Sequence, residues 1–228
     1  MKKSNIVIAS LERATERVKS MSEQVNRLGI ENVHFYKCFD GKCLINPTFA
    51  PKISLPGGYR NGSQLTSGEV GCGLSHVGIL TMAKAMNWEH VIVFEDDITI
   101  CEDFEKRIDY LLTNAPKDWE HIFLSGDPSQ KPIAPGLLQI IPSVRTNCTH
   151  SYMVRNTAYD KMIEKLSSME TTPDDLITHL IFHEKKIKSY TFYPFTTYVN
   201  TTYSYIWDKN AAHNVVNSSK TYFVNKLF

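Results

Sequence analysis

No stretch of the chain approaches the roughly 18 consecutive apolar residues that a membrane-spanning helix needs, so a soluble or only peripherally attached protein is expected. The apolar run Ile6-Val7-Ile8-Ala9 behind Lys2 and Lys3 is too short for the core of a signal peptide, and export is not expected. Charge of one sign is also missing: 25 Lys and Arg face 24 Asp and Glu, for a net charge of +1. A chain so balanced has no field that would hold nucleic acid by counterion release; a small, charged ligand in a cleft suits it better. The five cysteines, Cys38, Cys43, Cys72, Cys101 and Cys148, are odd in number and scattered, with no pair at the two-residue spacing of a zinc motif. Reduced, buried or partly buried thiols are the expectation. Sequons begin at Asn61, Asn147, Asn200 and Asn217, and without an export signal they carry no weight.

What the chain does have is length and apolar content. Its 228 residues, 42% of them hydrophobic, suit one folded unit with a sizeable core. Hydrophobic period opens it as strand, helix, strand. Ile6-Val7-Ile8 comes first, then Val18, Met21, Val25 and Leu28 at helical spacing with Gly29 as the stop, then Val33-His34-Phe35-Tyr36. This is the unit from which parallel sheets are built, and it predicts an α/β fold.

Between Gly41 and Ser67, the residues Pro47, Pro51, Pro56, Gly57, Gly58 and Gly62 mark a long surface loop, of a length that is usually functional or mobile. A helix is expected from about Glu69 to Met86, with Val70, Leu74, Val77 and Leu80 at helical spacing. Gly71, Gly73 and Gly78 each weaken it by roughly 1 kcal/mol relative to Ala, which points to a neighbouring element or a ligand approaching its backbone. Val91-Ile92-Val93-Phe94 reads as a central strand covered on both faces.

Glu95, Asp96 and Asp97 follow that strand at once, and the carboxyl ends of strands are where open α/β sheets bind ligands. Adjacent carboxylates repel unless a cation or hydrogen-bond donors compensate, and oxygen ligands are what Mg²⁺ or Mn²⁺ requires. Strand alternation would put Glu95 and Asp97 on one side. The same acids also suit the start of the helix holding Phe104, Ile108 and Leu111, although Glu102 and Asp103 already fill that place. Acids at strand ends occur in phosphatases and nucleotidyltransferases too.

Ser67-Gly68-Glu69-Val70-Gly71-Cys72-Gly73-Leu74-Ser75-His76, followed after a helix by Val91-Ile92-Val93-Phe94-Glu95-Asp96-Asp97-Ile98, resembles the paired signature of glycosyltransferase family 25. Bacterial members of that family extend lipooligosaccharide chains, and animal relatives galactosylate collagen hydroxylysine. The resemblance covers nearly the whole chain. Val7 to Arg13, with Arg17 four residues on, is similar to the family's opening, with Ser10 where many members have Asn. Thr149-His150-Ser151-Tyr152-Met153-Val154 is similar to its late strand, and Pro173-Asp174-Asp175-Leu176 to its acidic turn. The chain departs from the family at Ser204-Tyr205-Ile206, where members often read Ser-Asp-Ile.

The resemblance implies a GT-A-like fold, a Rossmann-like, mostly parallel sheet flanked by helices. It also implies a UDP-sugar donor, most often UDP-galactose, and inversion at the anomeric carbon. A single transferase domain over 1–228 is then expected, with donor and metal held by 1–125 and acceptor and catalysis by 126–228. Asp97 and Glu95 would hold Mn²⁺ or Mg²⁺ against the charge of the departing diphosphate. Asp96 would bond the donor ribose or brace the site, and Ser10, Leu11, Arg13, Ser75 and His76 would complete the donor pocket. Arg13 is preferred over Arg17, though either could be a surface partner of Glu12 or Glu16.

Inversion needs a base, and Asp175, with Asp174 second, is the candidate. The same two acids, after Thr172 and Pro173, make a good helix start. Tyr203, Tyr205 and Trp207, grouped with Tyr198, offer aromatic faces to an acceptor saccharide or glycolipid, or else pack as core. The apolar tail Tyr222–Phe228 rests on a membrane surface or packs, and residence in the cytoplasm, peripheral to the inner membrane face, is expected. Two rival readings stand beside this one: another carboxylate-metal enzyme, such as a nucleotidyltransferase or phosphohydrolase, and a catalytically silent glycan- or nucleotide-binding relative. The glycine-rich helix paired with Glu-Asp-Asp speaks against the first, and Ser204-Tyr205-Ile206 keeps the second open.

Overall fold

The computed structural model describes residues 4–43, 65–128, 136–200, 203–205, 209–210 and 219–228. Its first three elements are β1 (Asn5–Ser10), α1 (Thr15–Leu28) and β2 (Val33–Lys37), as the apolar period predicts. Helix α1 buries Met21 and Val25 and ends at Gly29, whose φ of 65° is a left-handed conformation that costs glycine little. A single 3₁₀ turn, Gly41–Cys43, then opens the segment expected to be a long loop, whose residues 44–64 lie outside those described.

Helix α2 (Ser67–Ala85) begins two residues before the expected Glu69. Thr66 Oγ accepts from the Glu69 amide at 3.2 Å, and the Glu69 carboxylate accepts from the Thr66 amide at 2.8 Å, so two amides that would otherwise lack partners are satisfied reciprocally. Strands β3 (His90–Glu95) and β4 (Ile98–Ile100) follow, then α3 (Phe104–Asn114), β5 (His121–Phe123) and the two-residue β6 (Asp127–Pro128). Next come β7 (Gln139–Pro142), the short β8 (Thr146–Asn147), β9 (Ser151–Arg155), α4 (Tyr159–Ser167) and α5 (Pro173–Thr178), which runs on into a π-helical turn, His179–His183. Strands β10 (Ser189–Tyr193), β11 (Thr197–Val199), β12 (Tyr203–Ser204) and β13 (Lys209–Asn210) complete the order.

Seven strands form one sheet in the order β2-β1-β3-β9-β5-β10-β7. Five run in one direction, while β9 and β7 oppose them. The sheet is therefore mixed and mostly parallel, with helices on both faces. Alternation along β3 divides the core: Val91 and Val93 join Ile79 and Leu80 of α2 and Met162 and Leu166 of α4. Ile92 and Phe94 join Met21 of α1 and Phe104, Ile108 and Leu111 of α3 on the other face. Each side chain fully buried in this way contributes about 1.5–3 kcal/mol.

The C-terminal tail packs on the fold through Tyr222 and Phe223. Tyr222 lies edge-on to Tyr193 and Phe195, and Phe223 lies 4.8 Å from Tyr198. The buried pair Asp103–Arg107, at 2.8 Å, anchors the tail further, since Asp103 accepts from the amides of Leu227 and Phe228. No helix among the described residues is long and apolar enough to cross a membrane.

Candidate functional site

Because five sheet strands share a direction, their carboxyl ends gather on one side, and β9, running the other way, delivers its amino end to the same place. A cavity of about 430 Å³ opens there, lined by the end of β1, the 38–42 segment, the first turns of α2, the Glu95-Asp96-Asp97 turn and Tyr205. That is room for a small ligand of ordinary size. The 38–42 segment is held tightly on α2: a Cβ at Gly71 would lie 2.6 Å from the Phe39 carbonyl oxygen. The glycine cost read from the sequence thus reflects a neighbouring backbone at this position.

The three acids are held in three ways. Glu95 ends β3, and its backbone amide donates to the His150 carbonyl at 2.9 Å. Its side chain accepts from Thr149 Oγ at 2.6 Å and lies 3.7 Å from His76 Nε2. Burial pushes the Glu95 carboxyl up, but His76, Thr149 and His150 together outweigh it and leave it well below the usual range. Asp96 accepts from Ser10 Oγ at 2.5 Å and from Arg17 Nη1 at 2.9 Å. Burial nevertheless raises Asp96, with the charge of Glu95 adding to the rise.

Asp97 meets the same Arg17 nitrogen at 3.1 Å through Oδ2, and burial and then the charge of Glu95 push its carboxyl up strongly. Strand alternation does not extend to Asp97, because Asp96 and Asp97 form a turn between β3 and β4. Asp97 accordingly shares a cation with Asp96. Its Oδ1 is buried and, among the described residues, has no hydrogen-bond partner. A buried carboxylate oxygen without a donor is costly unless a cation meets it, so the acids fit a divalent ion of the oxygen-preferring kind. Glu95 and Asp97 keep 25% and 16% of their side-chain exposure, which leaves them open to the cavity.

Of the other expected donor residues, Ser10, Leu11, Ser75 and His76 line the cavity. Ser75 donates to the Gly71 carbonyl at 2.7 Å and accepts from the Phe39 amide at 3.0 Å, tying the cavity wall to α2. His76 is buried, with Nδ1 2.7 Å from the Tyr152 hydroxyl. Arg13, preferred from the sequence, pairs with Asp40 at 2.6 Å, whereas Arg17 reaches the acids. Both guanidinium groups stack on Tyr205, at 4.6 and 4.5 Å, and Arg17 donates to the Tyr203 carbonyl at 2.6 Å. Tyr203 packs edge-on to Tyr205 at 5.3 Å, and Trp207 lies outside the described residues.

Asp174 and Asp175 sit in the first turn of α5, and neither lines the 430 Å³ cavity. Asp174 accepts from the Cys148 amide at 3.2 Å and so braces the turn that carries Thr149 to Glu95. Asp175 faces a separate cavity of about 40 Å³ with Arg145, Lys165, His179 and His183, and burial followed by the charge of Asp174 raises its carboxyl. Two participants had no assigned role in the sequence: Thr149, which stands in the quoted late-strand motif, and Cys72, which lies one helical turn before His76.

A family model described as Glycosyltransferase family 25 (LPS biosynthesis protein) matches residues 3–226. Among curated proteins, a Glycosyltransferase 25 family member from Aedes aegypti is 28% identical over 200 residues, covering 82% of this chain and 32% of the relative. Procollagen galactosyltransferase 2 from Homo sapiens is 25% identical, covering 81% of this chain and 31% of its own. The Probable inactive glycosyltransferase 25 family member 3 from Bos taurus is 24% identical, with coverage of 81% and 33%. The chain thus spans about a third of the length of these relatives. The crystal structure of a glycosyltransferase involved in the glycosylation of the major capsid of PBCV-1 has a similar fold. It superposes with a TM-score of 0.51 over 83% of this chain and 80% of its own, at 11% identity.

Proposed function

Because the chain belongs to glycosyltransferase family 25, we propose that it is a metal-dependent, inverting transferase that moves a hexose, galactose from UDP-galactose, onto a saccharide of a lipooligosaccharide or other surface glycan. The observation that carries this reading is Asp97, whose partnerless buried Oδ1 stands beside Glu95 at the strand ends, in a cavity large enough for a ligand. The name of the human relative supports galactose as the sugar, and the family's description supports a bacterial surface glycan as the acceptor.

Asp97 and Glu95 would hold Mn²⁺ or Mg²⁺, which supplies positive charge where the diphosphate leaves. His76 and Thr149 keep Glu95 ionised for that task. Asp96, steadied by Ser10, faces the donor ribose, while Leu11 and Ser75 shape the pocket around it. Arg17, with Arg13 behind it, offsets diphosphate charge. Asp175, with Asp174 second, would take the acceptor hydroxyl's proton from the α5 side of the cleft. Tyr203, Tyr205 and Trp207 offer ring faces to the acceptor sugar. In this division of labour residues 1–125 hold donor and metal and 126–228 serve acceptor and base, in a protein working at the cytoplasmic face of a membrane.

Transfer of labelled galactose from UDP-galactose tests the assignment. Asp97→Asn is expected to lower Mn²⁺-dependent transfer by on the order of 100-fold or more, and wild-type rates in that variant would remove Asp97 from the metal's role. A silent relative is the second reading, favoured by Tyr205 lying over Arg13 and Arg17 where the family often carries an acid. Release of galactose from UDP-galactose by water separates the two, because an active site hydrolyses its donor slowly without any acceptor. UDP binding with no such release would favour the silent reading.

A further inference from the structure

We propose that Cys72, His76 and Glu95 form a second cation site in the same cleft, selective for a thiophilic ion of the zinc class. Cys72 and His76 are four residues apart on α2 and therefore share a face, and Glu95 meets them from the end of β3. One donor atom from each, the cysteine sulfur, an imidazole nitrogen and a carboxylate oxygen, lies within 4.8 Å of the other two. Sulfur and imidazole are the ligands zinc takes, whereas Mn²⁺ and Mg²⁺ prefer oxygen alone.

The surroundings supply the outer contacts that such a site needs. With the Nδ1 proton of His76 on the Tyr152 hydroxyl, 2.7 Å away, an ion arriving at Nε2, 3.7 Å from Glu95, displaces to solvent the proton held between them and takes the Nε2 lone pair. Thr149 Oγ donates to Glu95 at 2.6 Å and so steadies one of the three ligands. In a tetrahedral site, ligand atoms 2.0–2.3 Å from zinc stand about 3.3–3.8 Å apart, so the three close on an ion with side-chain movements of about 1 Å. Entry of the ion expels the Cys72 thiol proton to solvent, and the fourth position faces the cavity, where a water molecule or a ligand oxygen completes the shell.

Glu95 cannot serve this ion and Asp97's partner together. On the transferase reading, zinc therefore inhibits; the site itself does not depend on that reading. Co²⁺ added to metal-free, reduced protein tests it by spectroscopy. The wild type, Cys43→Ser and Asp97→Asn are expected to show a thiolate-to-cobalt charge-transfer band with intense tetrahedral d–d bands, bleached by one equivalent of Zn²⁺, and Cys72→Ser to show neither. No band in the wild type, an unchanged band in Cys72→Ser, or a band lost in Asp97→Asn would overturn the proposal. X-ray absorption of the zinc-loaded Cys43→Ser protein checks the result without altering Cys72: a first shell containing one sulfur is expected, and one of nitrogen and oxygen only would contradict it. Failure of the galactose-transfer reading would leave these spectra unchanged.

Discussion

Glu95, Asp96 and Asp97 are consecutive carboxylates in one turn, and neighbours from four distant parts of the chain keep them together. His76 comes from α2, Thr149 from the turn before β9, Ser10 from the end of β1 and Arg17 from α1. Without these partners the mutual repulsion of three acids would drive protons onto them. Even with them the compensation is unequal, which is why Glu95 is held low while Asp97 is pushed up. His121 shows the opposite case, a buried base without a charged partner. Burial pushes it down to about 3, and its Nε2 has no hydrogen-bond partner among the described residues. A group depressed below its usual value of 6.5 is protonated in the unfolded chain first, so its contribution to stability is lost as pH falls from 6.5 towards 3. Relative to His121→Phe, the wild type should lose about 1.4 kcal/mol of unfolding free energy per pH unit below that point. Urea unfolding of both proteins from pH 6.5 to 4.5 measures it. The lost bond to Ser189 offsets the curves without tilting them, so parallel curves would contradict the account.

Helix α2 joins the core on one face of the sheet to the site. Its middle packs under the sheet through Ile79 and Leu80, while its first turns, with Cys72, Ser75 and His76, wall the cavity. Gly71 allows the Phe39 backbone to lie against it, and Ser75 fastens the contact. Gly71→Ala is predicted to destabilise by about 1–3 kcal/mol, because the added Cβ meets a carbonyl rather than a flexible side chain. If the glycine were only a weak point of the helix, alanine would instead stabilise by roughly 0.5–1 kcal/mol. The sign of the shift in urea midpoint decides between them. The start of this helix was legible: Thr66-Ser67-Gly68-Glu69 is a capping box in plain sequence, although apolar spacing alone placed the start at Glu69. The direction of β9 was not legible, since alternation with period 2 is the same in a parallel and an antiparallel strand. Yet that direction brings Thr149 and His150 to Glu95.

Across the whole molecule, the fold class and the place of the acids were legible because strand-helix-strand period and strand-end carboxylates are local signals. The pairing of Arg17 with Asp96 and Asp97, and the stacking of Tyr205 on both arginines, were not. They join residues far apart in the chain, and only the folded sheet determines that Arg17 and not Arg13 reaches the acids. Tyr205 also fills, with an aromatic ring over two cations, the position where the family often has an acid. On the proposed function, this cleft holds a nucleotide diphosphate with a divalent ion at Asp97. The most direct measurement is calorimetric titration of UDP into the purified protein with and without Mn²⁺, repeated on Asp97→Asn. Binding that requires both Mn²⁺ and the Asp97 carboxylate is the predicted result, and UDP binding that is absent throughout, or equally tight without either, would contradict it.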